Sequence, residues 1–213
     1  MNLLELFQSG GVVMWPLLLF SLLAVTLILE RSWFWWQLYQ TQERYIQQFL
    51  TRYATEPQNA IASLHKHTQF PIVRIFLAAL TLDQSTPEDF SLALESAAQA
   101  EMPMLKRFNT VFETIIGVSP LLGLLGTILG LMQSFSSLRI GEGASESAPE
   151  VTSGIGTALI STAAGLLLAI ATLLFTNLFL GLYRRQRSAI QSYTGRLELL
   201  YRQYYRQFMA RSR

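Results

Sequence analysis

The chain has 213 residues, 51% of them hydrophobic and only 14% charged, where a soluble domain carries about 25% charged residues. It contains no cysteine, which excludes disulfides, thiolate catalysis and cysteine-ligated zinc or iron–sulfur sites. The net charge of +2 rests on basic residues that flank apolar runs without forming a basic domain, so it speaks for membrane orientation and against nucleic acid.

Residues 1–11 carry only Glu5 before the first apolar run, 12–29, which is broken near its start by Trp15-Pro16. That run lacks the basic leader and small-residue cleavage site of a signal peptide. It ends in Glu30-Arg31 followed by Trp33, Trp35 and Trp36, the aromatic cluster a membrane interface favours. A retained first span over 12–30 follows. Residues 31–113 are more polar and read as a helical cytoplasmic domain. Helix formers dominate 37–53, Thr55-Glu-Pro-Gln58 interrupts them, a second helix covers 59–67, and Pro71 and Pro87 punctuate the rest. His65-Lys66-His67 has no third ligand beside it and reads as a solvated loop.

Thr86-Pro-Glu-Asp89 has the makings of a helix start: threonine as cap, proline at the first position, carboxylates in the first turn. From there Phe90, Leu94, Ala97, Glu101, Leu105, Phe108 and Phe112 keep a helical rhythm. The spacing predicts one helix from about 87 to 137, its outer part in the cytoplasm, with Pro103 placed to kink it. A Gly/Ser/Glu-rich loop over 138–152 and a third span over 153–183 come next. The tail, 184–213, is an aromatic and basic amphipathic segment suited to the membrane surface.

The second span, 114–137, and the third sit in windows without a single charge, 114–138 and 151–183. Either is long enough for the roughly 20 residues that a helix needs to cross the hydrocarbon core. Both carry a stripe of small and hydroxyl residues. On the second, Pro120, Gly123, Thr127, Gly130 and Ser134 share a face. On the third, Thr157, Ser161, Gly165, Thr172 and Thr176 do, with Thr162 and Ala169 beside them. Two readings of the stripes stay open. Gly123, Gly126, Gly130 and Gly165 are tight-packing devices, and a membrane threonine often bonds its own helix. Alternatively, Thr127, Thr157, Ser161, Thr162 and Thr172 line an ion path.

No Asp, Glu, His, Lys or Arg lies inside either span. A proton carrier needs a titratable group in the membrane, so a partner chain would have to bring it. Glu30, Arg31 and Glu113 read as interfacial charges. The tail holds eight arginines, and the 31–113 segment holds most other basic residues, whereas the opposite side has Arg139 alone among acidic residues. Positive-inside logic places the N-terminus outside and the C-terminus in the cytoplasm. No phosphate loop, nucleophile elbow or zinc-protease motif occurs, so no enzyme is expected. The fold class is an all-α integral membrane protein with three transmembrane helices.

Ser119-Pro-Leu-Leu-Gly-Leu-Leu-Gly-Thr-Ile-Leu-Gly-Leu-Met-Gln-Ser-Phe135 and Gly154-Ile-Gly-Thr-Ala-Leu-Ile-Ser-Thr-Ala-Ala-Gly-Leu-Leu-Leu-Ala-Ile170 resemble the MotA/TolQ/ExbB proton channel family, most closely its ExbB/TolQ branch. The resemblance implies a multi-pass protein of a bacterial inner membrane, with a periplasmic N-terminus. It implies a ring of five such subunits lined by the second and third spans. Within the ring would sit the single spans of an ExbD- or TolR-like dimer, whose membrane Asp carries the proton that powers TonB-type envelope transport or protein import. Thr127 and Thr162 match the family's pore-facing threonines. Thr157 stands where that branch has a glutamate, and Ala171 where it has a proline, so the coupled ion is H+ or, with an all-hydroxyl lining, Na+. A scaffold that oligomerises through its glycines and conducts nothing is the alternative.

Overall fold

The computed structural model describes residues 7–82, 86–136 and 148–211. Among these every regular element is helical: α1 (Met14–Thr55), α2 (Pro57–Leu64), a 3-10 turn (His65–His67), α3 (Pro71–Leu80), α4 (Pro87–Leu105), α5 (Asn109–Ser136) and α6 (Ala148–Arg211). Among the described residues three stretches are long and apolar enough to cross a membrane: Met14–Thr55, Pro87–Ser136 and Thr152–Gln207. Most of the loop expected over 138–152 lies outside the described residues. Its end differs from the expectation, since α6 is already helical at Ala148.

Prolines set the helix starts. Pro57, Pro71 and Pro87 each sit in the first helical positions, where their missing N–H leaves no bond unmade. Glu56, ahead of Pro57, is pushed out of the helical region at φ −135° and ψ 77°, and this ends α1. Thr86 closes a capping box at the head of α4: its hydroxyl accepts from the Asp89 amide at 3.2 Å, and its own amide donates to Asp89 Oδ2 at 3.3 Å.

The single helix expected from 87 to 137 is broken at residues 106–108. Pro103 lacks the N–H that would tie it to the turn before it. Just beyond, the Lys106 amide bonds Met102 O at 3.2 Å and the Arg107 amide bonds Met104 O at 3.3 Å. Phe108 then turns left-handed, with φ 67°, a conformation strained for a bulky residue. Its carbonyl restarts the ladder by accepting from the Phe112 amide at 3.1 Å.

The chain divides into two compact units, the first Met1–Arg31 with Phe108–Phe179, the second Ser32–Arg107 with Leu180–Arg213. In the first, the start of α1 packs on α5 and α6: Val13, Met14 and Leu17 bury themselves against Leu122, Ala164 and Leu168. Phe112 meets Phe179 with ring centroids 6.0 Å apart. The outward faces are greasy throughout, with Leu19, Leu22, Leu121, Met132, Leu159, Leu167 and Leu174 all exposed. Patches of that kind are covered by lipid or by neighbouring chains.

The second unit has a conventional core. Ile46, Leu64, Ile72, Ile75, Phe76, Phe90, Ile190 and Leu197 are fully buried, and Phe49 faces Phe76 at 5.4 Å. Most of α3 is enclosed. The expected solvated loop at 65–67 is a 3-10 turn in which His65 and Lys66 are exposed, but the His67 ring lies 4.2 Å from that of Tyr45. Arg74 on α3 grips Glu101 on α4 through Nε at 2.7 Å and Nη2 at 2.5 Å, and also donates to Thr68 O at 2.9 Å. The bond to Glu101 raises the Arg74 pKa above its ordinary value. Glu101→Gln keeps the shape but removes the charge. Since the pair is partly open to water, a loss of roughly 1–2 kcal/mol is expected, read as earlier thermal melting of the solubilised protein. An unchanged melt would show the fork to be idle.

Candidate functional site

Within the first unit α5 and α6 meet along a seam of small residues. A methyl group added at Gly123 would lie 3.0 Å from both Ser161 O and Thr162 Cα. One at Gly130 would lie 2.6 Å from Gly154 O, one at Gly165 would run into Ser119 O, and one at Gly126 into the Ser161 hydroxyl. The two backbones therefore touch at several levels, an approach that glycine alone permits. Ser119, Ser134 and Gly154 belong to the same buried line. Ser119 and Gly154 are absent from the face assignments drawn from the sequence, although Ser119 sits one turn before Gly123 and Gly154 one turn before Ala158. The segment ahead of α1 closes on α6 as well: Gly11, at φ 73°, has Thr157 Cγ2 at 3.0 Å from where a Cβ would stand.

The five hydroxyls named from the sequence fall into two groups. Ser161 and Thr172 are buried by the chain itself, at 0% and 1% exposure. Ser161 donates to Ala158 O at 3.0 Å, and Thr172 to Leu168 O at 2.8 Å. Thr127, Thr157 and Thr162 are half-exposed. Thr127 donates to Leu124 O at 2.6 Å, and Thr157 to Ser153 O at 3.1 Å, each within its own helix. Thr162 instead crosses the seam and donates to Gly123 O at 3.0 Å. The structure thus brings Gly123, Ser161 and Thr162 into one contact. Thr172 stands ten residues further along α6, about 15 Å by helical rise.

A threonine hydroxyl has one hydrogen and two lone pairs. In Thr127, Thr157 and Thr162 the hydrogen is committed to a backbone carbonyl, so what each oxygen still offers is acceptor lone pairs. Such an oxygen suits a cation or a protonated acid better than a carboxylate.

The charges expected at the interface do not enter this seam. Glu113 is exposed and accepts from Asn109 Nδ2 at 2.6 Å. Glu30 is exposed and pairs with Arg31, whose Nε is 2.9 Å away. Arg31 differs from a simple interfacial charge: it is buried to 3% exposure, and its guanidinium sits 5.1 Å from the centroid of the Phe108 ring. A cation over an aromatic face is favourable, and here it braces the left-handed break. Among the described residues no cluster of three or more His, Cys, Asp or Glu could hold a metal ion.

Three membrane-length stretches, two of them joined through glycine and free of charge over 114–138 and 151–183, define a multi-span membrane protein. The model of the MotA/TolQ/ExbB proton channel family matches residues 67–192, a range that contains the whole seam. The chain is similar to an ExbB-like biopolymer transport protein of Synechocystis sp., 56% identical over 94% of this chain and 95% of the relative. A second ExbB-like protein of that organism is 41% identical over 95% and 80%. Biopolymer transport protein exbB1 of Vibrio cholerae is 34% identical over 79% and 75%. The chain belongs to the MotA/TolQ/ExbB proton channel family, on its ExbB branch. It is a membrane protein of a transport and channel family.

Proposed function

We propose that the chain is the ring-forming subunit of an inner-membrane energiser, which uses the proton motive force through a single-span partner bearing a membrane Asp to drive TonB-type envelope transport or import. The observation that carries this reading is the combination of two uncharged spans with half-exposed threonines at Thr127, Thr157 and Thr162. The chain has oxygens to meet a proton-carrying acid but no acid of its own within the charge-free windows 114–138 and 151–183. A homopentamer, an N-terminus in the periplasm and a cytoplasmic second unit fit the charge distribution and the family.

Sodium coupling is a second reading with an observation of its own. By the resemblance Thr157 stands where the ExbB/TolQ branch has a glutamate. Its hydroxyl, whose hydrogen is given to Ser153 O at 3.1 Å, keeps oxygen lone pairs that can ligate a partly dehydrated cation. Ion flux into liposomes holding this chain and its partner, under a proton gradient and under a sodium gradient, separates the two. Flux that follows only one gradient names the ion. An assembled complex that passes neither ion would sink the energiser reading in favour of a scaffold.

A further inference from the structure

In the second unit α1 and α6 line a partly open pocket of about 90 Å³. Its polar lining is Tyr39, Gln42, Glu43, Arg185, Gln186 and Tyr193. Gln186 Nε2 donates to Gln42 Oε1 at 3.1 Å, and both amides are buried, which fixes one wall. The Arg185 guanidinium lies 5.2 Å from the centroid of the Tyr39 ring. The Tyr39 hydroxyl is buried without a hydrogen-bond partner in the protein. A buried hydroxyl left unpaired is costly, and such a group points to something absent from the protein alone.

The cavity has room for about three waters at roughly 30 Å³ each, or for one compact headgroup. Its lining holds one cation, Arg185, and one anion, Glu43. A bare anion would meet Glu43 and a bare cation would meet Arg185, whereas a zwitterion satisfies both. Sequence position supplies the source. Arg184 and Arg185 are the first charges after the uncharged 151–183 window, and Tyr39 follows Trp36 by three residues. Tryptophans and the first arginines past a span sit at headgroup level.

We propose that this cavity binds the phosphoethanolamine headgroup of a zwitterionic phospholipid. Its phosphate accepts hydrogen bonds from Arg185 and the Tyr39 hydroxyl, and its ammonium faces Glu43. The site fixes α1 against α6 where both leave the membrane.

The test uses the full chain in detergent with equal amounts of phosphatidylethanolamine, phosphatidylglycerol and phosphatidylcholine, and counts retained lipids by native mass spectrometry. Wild type should keep phosphatidylethanolamine preferentially. Tyr39→Phe, which preserves the ring beneath Arg185, and Arg185→Gln should each weaken retention about tenfold, as expected for a lost hydrogen bond to a charged group. Glu43→Gln should remove the preference over phosphatidylglycerol. Thermal melting of each variant confirms that it is folded, and Arg185→Gln at an exposed position serves if Tyr39→Phe is not. Retention of phosphatidylethanolamine at wild-type level in both Tyr39→Phe and Arg185→Gln would show a cavity that holds only water, and overturn the proposal. Complete displacement of the lipid by equimolar soluble O-phosphoethanolamine would overturn the membrane source.

Discussion

Gly165→Leu is expected to prevent the first unit from closing, and Gly165→Ala to cost about 1–3 kcal/mol, the range for forcing a methyl group into a filled space. A Cβ there meets Ser119 O on one side and the backbone of Gly123 at 3.2 Å on the other. Both obstacles are main chain inside regular helix, so no side chain can swing away. The helices would have to separate, and that gap would forfeit the contacts at Gly123, Gly126 and Gly130 together. In a membrane no hydrophobic force pulls the pair back, because lipid tails are as apolar as leucine. Gly117 provides the control, since nothing lies within 4 Å of its added Cβ. Gly117→Ala should be neutral or stabilising by up to about 1 kcal/mol through helix propensity. Thermal melting of the two alanine variants side by side decides the matter. Equal melting temperatures would mean that the seam is looser than its geometry states.

Much of the fold was legible in the sequence for reasons that are local. Charge-free windows marked the later spans, and Thr86-Pro-Glu-Asp89 spelled out a cap that the chain forms to the atom. The break at 106–108 was not legible. Nothing in the preferences of phenylalanine favours a left-handed turn at Phe108. The turn depends on Pro103 weakening the helix ahead of it, and on Arg31, distant in sequence, stacking on the ring. Helical periodicity likewise found the polar faces of α5 and α6 but not their innermost line. A stripe about 100° wide leaves open which edge touches the neighbour. The touching line is Ser119, Gly123, Gly126, Gly130 and Ser134, so Thr127 lies at its edge and Ser161 at its centre. Only the partner helix could set that phase. For the same reason Ser161 and Thr172, which share a face with Thr157 by spacing, are enclosed while Thr157 stays half-exposed.

Thr162→Val should cut coupled ion flux at least tenfold, with Thr162→Ser retaining most of it. The residue has two separable roles. Its backbone belongs to the seam, with Cα 3.0 Å from where a Gly123 Cβ would stand, and its hydroxyl donates to Gly123 O at 3.0 Å while its lone pairs stay available. Valine matches the shape and removes both the bond and the acceptor; serine restores the hydroxyl without the methyl. The lost bond to Gly123 is neutral and contributes about 0.5–1.5 kcal/mol to stability, which the folded seam tolerates. An acceptor that meets a cation, or a proton in transit, is worth about 1.5–3 kcal/mol, hence the tenfold or greater effect on flux. Thr127→Val tests the same logic on the facing helix, where the hydroxyl bonds only its own turn and the seam loses nothing. If these oxygens carry the ion, both valine variants assemble normally and conduct poorly. If Thr162→Val alone fails, and melts early, its hydroxyl serves packing. On the proposed energiser reading, a committed hydrogen leaves only lone pairs to offer, so a partner's carboxyl should dock here protonated. Replacing that carboxylate by its amide in the partner should then still permit assembly while abolishing flux.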